Sequence, residues 1–352
     1  MVDFLIVGAG LYGSVCARVL ADKGYKVRVV ESRDHIGGNC YTFKEGDIDV
    51  HKYGAHIFHT SDEEVWSFVN KYISFYTYFH RPVVDYNSKM YSLPINLWTY
   101  YELYGCRTPK EALKYFNPNA EGSNLREYGI NLLGEKVYNT FIKEYSEKQW
   151  GRKDRDIPSS VLKRLPIELN YNTSYFKDKY VGIPTNGYTE LFNKLLRGID
   201  VELSTDFFNL KELHYKNLIY TGPIDRYFKY KYGKLEYKSC IFDHTILEEE
   251  NYQGAAVVNY TSINVPFTRV IEHKHFTGVK SKQTVITKEY PNSGDLLLYP
   301  VSDKNNKEIL SKYLKESSYI KNVHIGGRLG GYQYIDMDKT IRLAFDFVSR
   351  YL

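Results

Sequence analysis

The run HKYGAHIFHT, residues 51–60, sets His51, His56 and His59 close together. Imidazoles can ligate a metal, move a proton or hydrogen-bond a bound ring. Ile48 and Val50 alternate with acids as in a strand, and Gly54 interrupts the run. Ser61-Asp62-Glu63-Glu64 then predicts a helix start, with Ser61 capping and Glu64 reaching back. Val65, Phe68, Val69 and Tyr72 continue that helix. His56 and His59 therefore fall on a strand end or loop, where positions three apart face opposite ways and cannot share an ion. No cysteine lies nearby, so no metal is expected. Two readings remain: one buried and one surface histidine, or a polar loop laid against a bound cofactor.

A second constellation suits phosphate. The apolar run 3–7 leads into Gly8-Ala9-Gly10-Leu11-Tyr12-Gly13. Val15, Val19 and Leu20 then recur at helical spacing up to Gly24, and a second strand over 26–30 ends at Glu31. This is a βαβ unit with a G-x-G-x-x-G turn and an acid about 20 residues on. Gly8 permits the turn, Gly10 admits a pyrophosphate against the backbone, and Gly13 lets helix and strand pack. The helix N-terminus offers free amides to phosphate, and Glu31 can accept from a ribose. The pair Gly37-Gly38 in HIGGN resembles the extended fingerprint of FAD-binding Rossmann flavoproteins, which favours FAD over NAD. No second glycine fingerprint follows, so a separate NADPH domain is not expected.

The rest of the chain must position these groups. Of its 352 residues, 43% are hydrophobic, enough for a large core in more than one domain. The net charge of +5 is spread without a basic block, which argues against nucleic acid. No apolar run approaches the ~20 residues of a membrane helix, and a strand pattern begins at once, so neither membrane insertion nor a signal peptide is expected. Cys16, Cys40, Cys106 and Cys240 lack CxxC spacing, which predicts a reduced, cytoplasmic chain without disulfides or zinc. Tyrosine is abundant, at 35 residues; most of this fits compositional bias. Residues 96–150 look helical, with Pro109 in a first turn. VVNYTSINVPFTRVIEHKHF and KQTVITKEYP suit antiparallel strands. The expected fold is α/β. An FAD-binding Rossmann-like domain spans 1–75, 184–241 and 302–352. A helical domain spans 85–151, and an antiparallel sheet domain for substrate spans 76–84, 152–183 and 242–301.

Together, GAGLYG, HIGGN, HKYGAHIFHT, EKQWGR, KRLP, YTGPID, FTRVIEHKHF and GGRLGGYQYIDMD resemble the bacterial UDP-galactopyranose mutases from the first strand to the last helix. That resemblance implies FAD and a UDP-sugar substrate. It implies interconversion of pyranose and furanose rings through attack of reduced flavin N5 on the anomeric carbon. An external reductant, NAD(P)H or a flavin reductase system, is implied too, as are a homodimer and a role in cell-surface polysaccharide synthesis. It gives Arg164 and Arg269 to the substrate diphosphate as catalytic cations, with Tyr145, Tyr175, Tyr299 and Tyr334 at diphosphate and sugar. Phe141 and Tyr145 share a helix face and could stack on uracil, Trp150 falls past the helix end, and Asn259 is a ligand contact. His56 and His59 are placed beside flavin and sugar. Flavin contacts implied are Gly8, Gly10, Tyr12, Gly13, Glu31, Ser32, Arg33, Gly38, Asn39, Ile57, Thr221 and Arg328, with Asp336 and Met337 opening a final helix whose positive end faces the ring. His80, Ile95 and Trp98 depart from the family's usual residues near the nucleotide. A relative acting on UDP-N-acetylgalactosamine, or an amine-oxidase-like flavin oxidoreductase, is the alternative.

Overall fold

The computed structural model describes residues 1–163, 165–211, 214–291 and 295–351. A parallel sheet of five strands runs Asp200–Glu202, Val27–Val30, Val2–Val7, Tyr215–Tyr220, Val323–Ile325. Parallel strands need cover on both faces. On one face Phe4, Ile6 and Val29 are buried under the helices Leu11–Asp22, Gly187–Leu195 and Met337–Val348, with Val15, Leu20, Phe192 and Ile341 fully inside. On the other, Leu5, Val30, Leu218 and Tyr220 form a second core. Each such side chain contributes roughly 1.5–3 kcal/mol by leaving water.

The glycine turn after Val2–Val7 is set by contact as much as by conformation. A Cβ on Gly13 would lie 2.1 Å from the Gly8 carbonyl oxygen, and one on Gly38 would lie 3.0 Å from the Gly10 Cα. Both fingerprint segments therefore meet backbone to backbone.

A second, mixed sheet has six strands in the order Cys240–Leu247, Thr284–Pro291, Arg269–Glu272, Val257–Tyr260, Val83–Tyr86, Lys89–Ser92. It is antiparallel except where Val257–Tyr260 lies parallel to Val83–Tyr86. Its last strand lies inside the stretch from residue 85 that the sequence pattern gave to helices. Helices do recur from 97 to 150, with non-helical breaks over 105–108 and 113–124. Asn96 caps Leu97–Tyr104, and Thr108 with Glu111 forms a capping box before Pro109. A π-helical stretch, Asn139–Lys143, joins Glu135–Tyr138 to Glu144–Trp150. Trp150 is thus the last helical residue rather than one beyond it, and Gly151 ends the helix in left-handed geometry.

One cap differs from the sequence reading. The helix Glu63–Asn70 is capped by Asp62, whose carboxylate accepts from the amides of Glu64 and Val65. Ser61 instead donates to Asp178 at 3.0 Å. Asp62 also receives two guanidinium nitrogens of Arg342 at 2.7–2.9 Å. A cap is worth about 1 kcal/mol, and here it also anchors the final helix. Asp62→Ala should lower stability by about 2 kcal/mol and Ser61→Ala by less than half of that, read from urea midpoints. Gly13→Ala should also lower stability, read from the same urea midpoints, because the Gly8 carbonyl cannot give way.

Candidate functional site

A cavity of about 1050 Å³ opens between the C-terminal ends of the parallel strands, the six-stranded sheet and the helical segment. Its residues fall into three groups.

At one end lie Gly8, Gly10, Gly13, Glu31, Ser32, Arg33, Gly38 and Asn39. Glu31 accepts the Ala9 amide at 2.7 Å and the Arg33 amide at 2.9 Å, so it braces the turn itself. Arg33 donates to Asn39 at 3.0 Å and lies over the Tyr53 ring, while its buried Nη1 has no partner. Arg328 donates to the Leu298 and Leu297 carbonyls, and burial lowers its pKa with no carboxylate beside it among the described residues. Two cations short of an anion, beside a backbone cleft, fit a dinucleotide diphosphate. Thr221 donates to Val7, and the Tyr12 hydroxyl bonds His324 at 2.7 Å. Tyr12 and Thr221 therefore face the cavity with their hydroxyls already engaged.

In the middle, Tyr334, Asp336, Met337 and Thr340 line the start of the final helix. Asp336 occupies its N-cap position without a side-chain cap bond; the Lys339 amide is taken by the buried Asp338 carboxylate at 2.6 Å, which leaves the Met337 and Asp338 amides uncapped by a side chain. His56 Nδ1 donates to the Gly54 carbonyl at 2.8 Å, which leaves Nε2 as a bare acceptor; Ile57 packs beside it. His59 bonds Asp178 at 2.7 Å and stacks on Phe176 at 4.0 Å. The two imidazoles do not converge, and no three metal-binding side chains cluster among the described residues.

The third group surrounds Arg269. Its Nε lies 3.1 Å from the Glu289 carboxylate, an ion pair without a hydrogen bond, and its Nη2 donates to the Tyr145 hydroxyl at 2.9 Å. Burial alone would lower its pKa, but Glu289 raises it well above the usual arginine value. Burial raises the Glu289 carboxyl, with Arg269 opposing. Nη1 makes no hydrogen bond to a described residue and is left for a ligand. Tyr299 stacks on Tyr334 at 5.7 Å. Asn259 donates to Val83 at 3.2 Å, and Phe141 meets Tyr91 edge-on. His80 is buried and accepts the Tyr175 amide through its carbonyl at 2.8 Å. Trp150 is a buried wall of the helical core. Arg164 lies outside the described residues.

Glu289 is absent from the sequence-derived site, although Val285, Thr287 and Glu289 alternate along one strand. An acid continuing an inward-facing row was the available signal.

Comparison with known proteins follows this geometry. A family profile described as UDP-galactopyranose mutase matches residues 140–334. A profile described as NAD(P)-binding Rossmann-like domain matches 6–72. A Klebsiella pneumoniae protein named "Probable UDP-galactopyranose mutase" is 38% identical over 365 residues, covering 99% of this chain and 94% of that protein. The chain belongs to the UDP-galactopyranose mutase family. An Escherichia coli relative, named dTDP-fucopyranose mutase, is also 38% identical, covering 99% of this chain and 98% of its own. A solved structure of reduced UDP-galactopyranose mutase shares the fold at TM-score 0.80 and 15% identity, covering 100% of this chain and 94% of that one. Putrescine oxidase shares it at TM-score 0.61 and 14% identity, covering 99% and 98%. No helix among the described residues is long and apolar enough to cross a membrane.

Burial pushes His51 and His80 down to about 3, and also lowers His56, His244 and His273. Unfolding restores an ordinary imidazole pKa, so the unfolded chain takes up more protons below about 6.5. Stability should therefore be full above pH 6.5 and fall steadily toward pH 4. Thermal melts across that range should show it, and a flat melting temperature would contradict the burial.

Proposed function

We propose that this chain binds FAD and a nucleoside diphosphate hexose, and interconverts UDP-galactopyranose and UDP-galactofuranose. The observation that carries the reading is one cavity joining two unlike features. One is a dinucleotide cleft with anion-seeking Arg33 and Arg328; the other is a half-buried guanidinium, Arg269, whose Nε and Nη1 make no hydrogen bond to a described residue. A flavin oxidase of the amine-oxidase type has no need of the second feature.

When bound and reduced, the flavin supplies an electron-rich N5 to the anomeric carbon. The protein's share is electrostatic and positional. Arg269, with Arg164 by family resemblance, holds the diphosphate as its bond to the sugar weakens and negative charge grows. Tyr145 and Tyr299 offer hydroxyls without adding charge, and burial keeps Tyr299 protonated by raising it well above its usual value. The uncapped first amides of the final helix, at Met337 and Asp338, favour negative charge on the flavin, while the Asp338 carboxylate takes the third. His56 presents a bare Nε2, an acceptor for a sugar hydroxyl or a ring N–H. Phe141 and Tyr145 form the base end of the cavity. The FAD domain is assembled from the three segments 1–75, 184–241 and 302–352. An external reductant, a homodimer and a cytoplasmic supply of precursor for cell-surface polysaccharide complete the reading.

A second substrate reading rests on the equal 38% identity to the dTDP-fucopyranose mutase. Purified enzyme, reduced with dithionite, should convert UDP-galactofuranose to the pyranose form on chromatography, and oxidised enzyme should not. Faster turnover of a dTDP-fucose isomer would move the assignment to that substrate, and equal turnover by oxidised enzyme would overturn the N5 reading. Arg269→Ala should lose about 10²–10³ in kcat while retaining flavin; loss of flavin instead would mean that Arg269 serves the cofactor.

A further inference from the structure

Beyond the reacting groups, two buried histidines, His51 and His273, and the half-buried His244 hold the loop that carries His56. The His51 amide donates to His273 Nδ1 at 3.2 Å. His273 Nε2 lies 2.6 Å from the Thr287 hydroxyl, which lies 2.7 Å from His244 Nδ1. His244 Nε2 lies 3.2 Å from the Lys52 carbonyl. Separately, the His56 amide donates to His51 Nδ1 at 3.0 Å. Backbone groups at both ends fix the direction of every proton. A backbone amide can only donate, so His273 Nδ1 and His51 Nδ1 are bare and their protons sit on Nε2. A carbonyl can only accept, so His244 carries a proton on Nε2, and the neutral ring has a bare Nδ1. Thr287 must then accept from His273 and donate to His244. The amide donors require neutral His51 and His273, and with His244 neutral both ends give the same direction.

We propose that His51, His273, His244 and Thr287 form a proton-ordered brace that fixes backbone 51–56 and so presents the unprotonated Nε2 of His56 to the cavity. These are positioning residues, and their effect on turnover rests on the proposed mutase reading. Three backbone groups of one short loop are held by imidazoles; His244 lies on a strand of the six-stranded sheet and His273 directly follows another, Arg269–Glu272. Gly54, at the tip, lies against Glu289; a Cβ there would fall 2.9 Å from its carboxylate. The loop is therefore pinned between the brace and the Arg269 pair. Burial works in the same direction by disfavouring imidazolium at each position, and Arg328 adds repulsion at His56.

The test is nitrogen-15 NMR of labelled histidines in the flavin-loaded enzyme at pH 7. His51, His244 and His273 should appear as neutral Nε2–H tautomers, and His56 as the Nδ1–H tautomer. Thr287→Val removes the hydroxyl at nearly constant volume. It should perturb the His244, His273 and His56 signals and lower kcat by about tenfold with little change in KM, as a misplaced group would. Thr287→Ser should restore both. The opposite tautomer at His56, an imidazolium in the brace, or a valine variant with wild-type spectra would overturn the proposal. If Thr287→Val does not fold, the wild-type tautomers and the serine variant still decide it. If the enzyme is no mutase, the spectra are unaffected and only the kcat arm fails.

Discussion

The structure turns on a guanidinium kept charged inside a protein. Taking a cation largely out of water is costly, and the Arg269 side chain, 28% exposed at the cavity, is held there by a carboxylate at 3.1 Å and a phenol at 2.9 Å. Those partners come from two places: Glu289 from the neighbouring strand and Tyr145 from the helix Glu144–Trp150. Two lobes are therefore registered against one charge. On the proposed reading, Glu289 already balances that charge, so an arriving diphosphate would meet a neutral pair, not a bare cation. Binding then depends on geometry more than on net field, in keeping with a chain whose formal charge is only +5.

A second buried cation keeps that registration. Lys148, on the Tyr145 helix, donates to the carbonyls of Tyr260, Val265 and Phe267 at 2.7–3.0 Å. That loop leads directly into the strand Arg269–Glu272. Burial lowers the Lys148 ammonium to about 8, yet at neutral pH it remains a donor to three acceptors that would otherwise be unpaired. The helix bearing Tyr145 and the strand bearing Arg269 are thus joined twice, once by the ligand-facing pair and once behind it.

What could be read in the sequence divides by the range of the interaction. The glycine turn, Glu31 and the Thr108–Pro109 helix start are local, and the fold has them where the spacing put them. Ser61 and Asp62 are both good cap formers, and the choice fell to Arg342, 280 positions away. Lys89–Ser92 was hidden among helical texture because its partner strand, Val83–Tyr86, is short and aromatic-flanked. Glu289 went unnoticed because an acid in a strand usually faces water; only its pairing with Arg269 explains its burial. His51 could be placed in a strand, but not in a brace, since its partner stands 222 residues on.

The central claim, that Arg269 recognises a diphosphate and not a base or a cofactor, is tested most directly by calorimetry with UDP and with uridine. The comparison is between the flavin-loaded enzyme and a variant carrying Arg269→Met with Glu289→Gln, which leaves no unpaired carboxylate. The account predicts that the variant weakens UDP binding by about a hundredfold, in line with loss of a charge-assisted contact in a buried site. Uridine binding should stay within about twofold, since a neutral nucleoside makes no such contact. Unchanged UDP binding, or equal losses for both ligands, would contradict it.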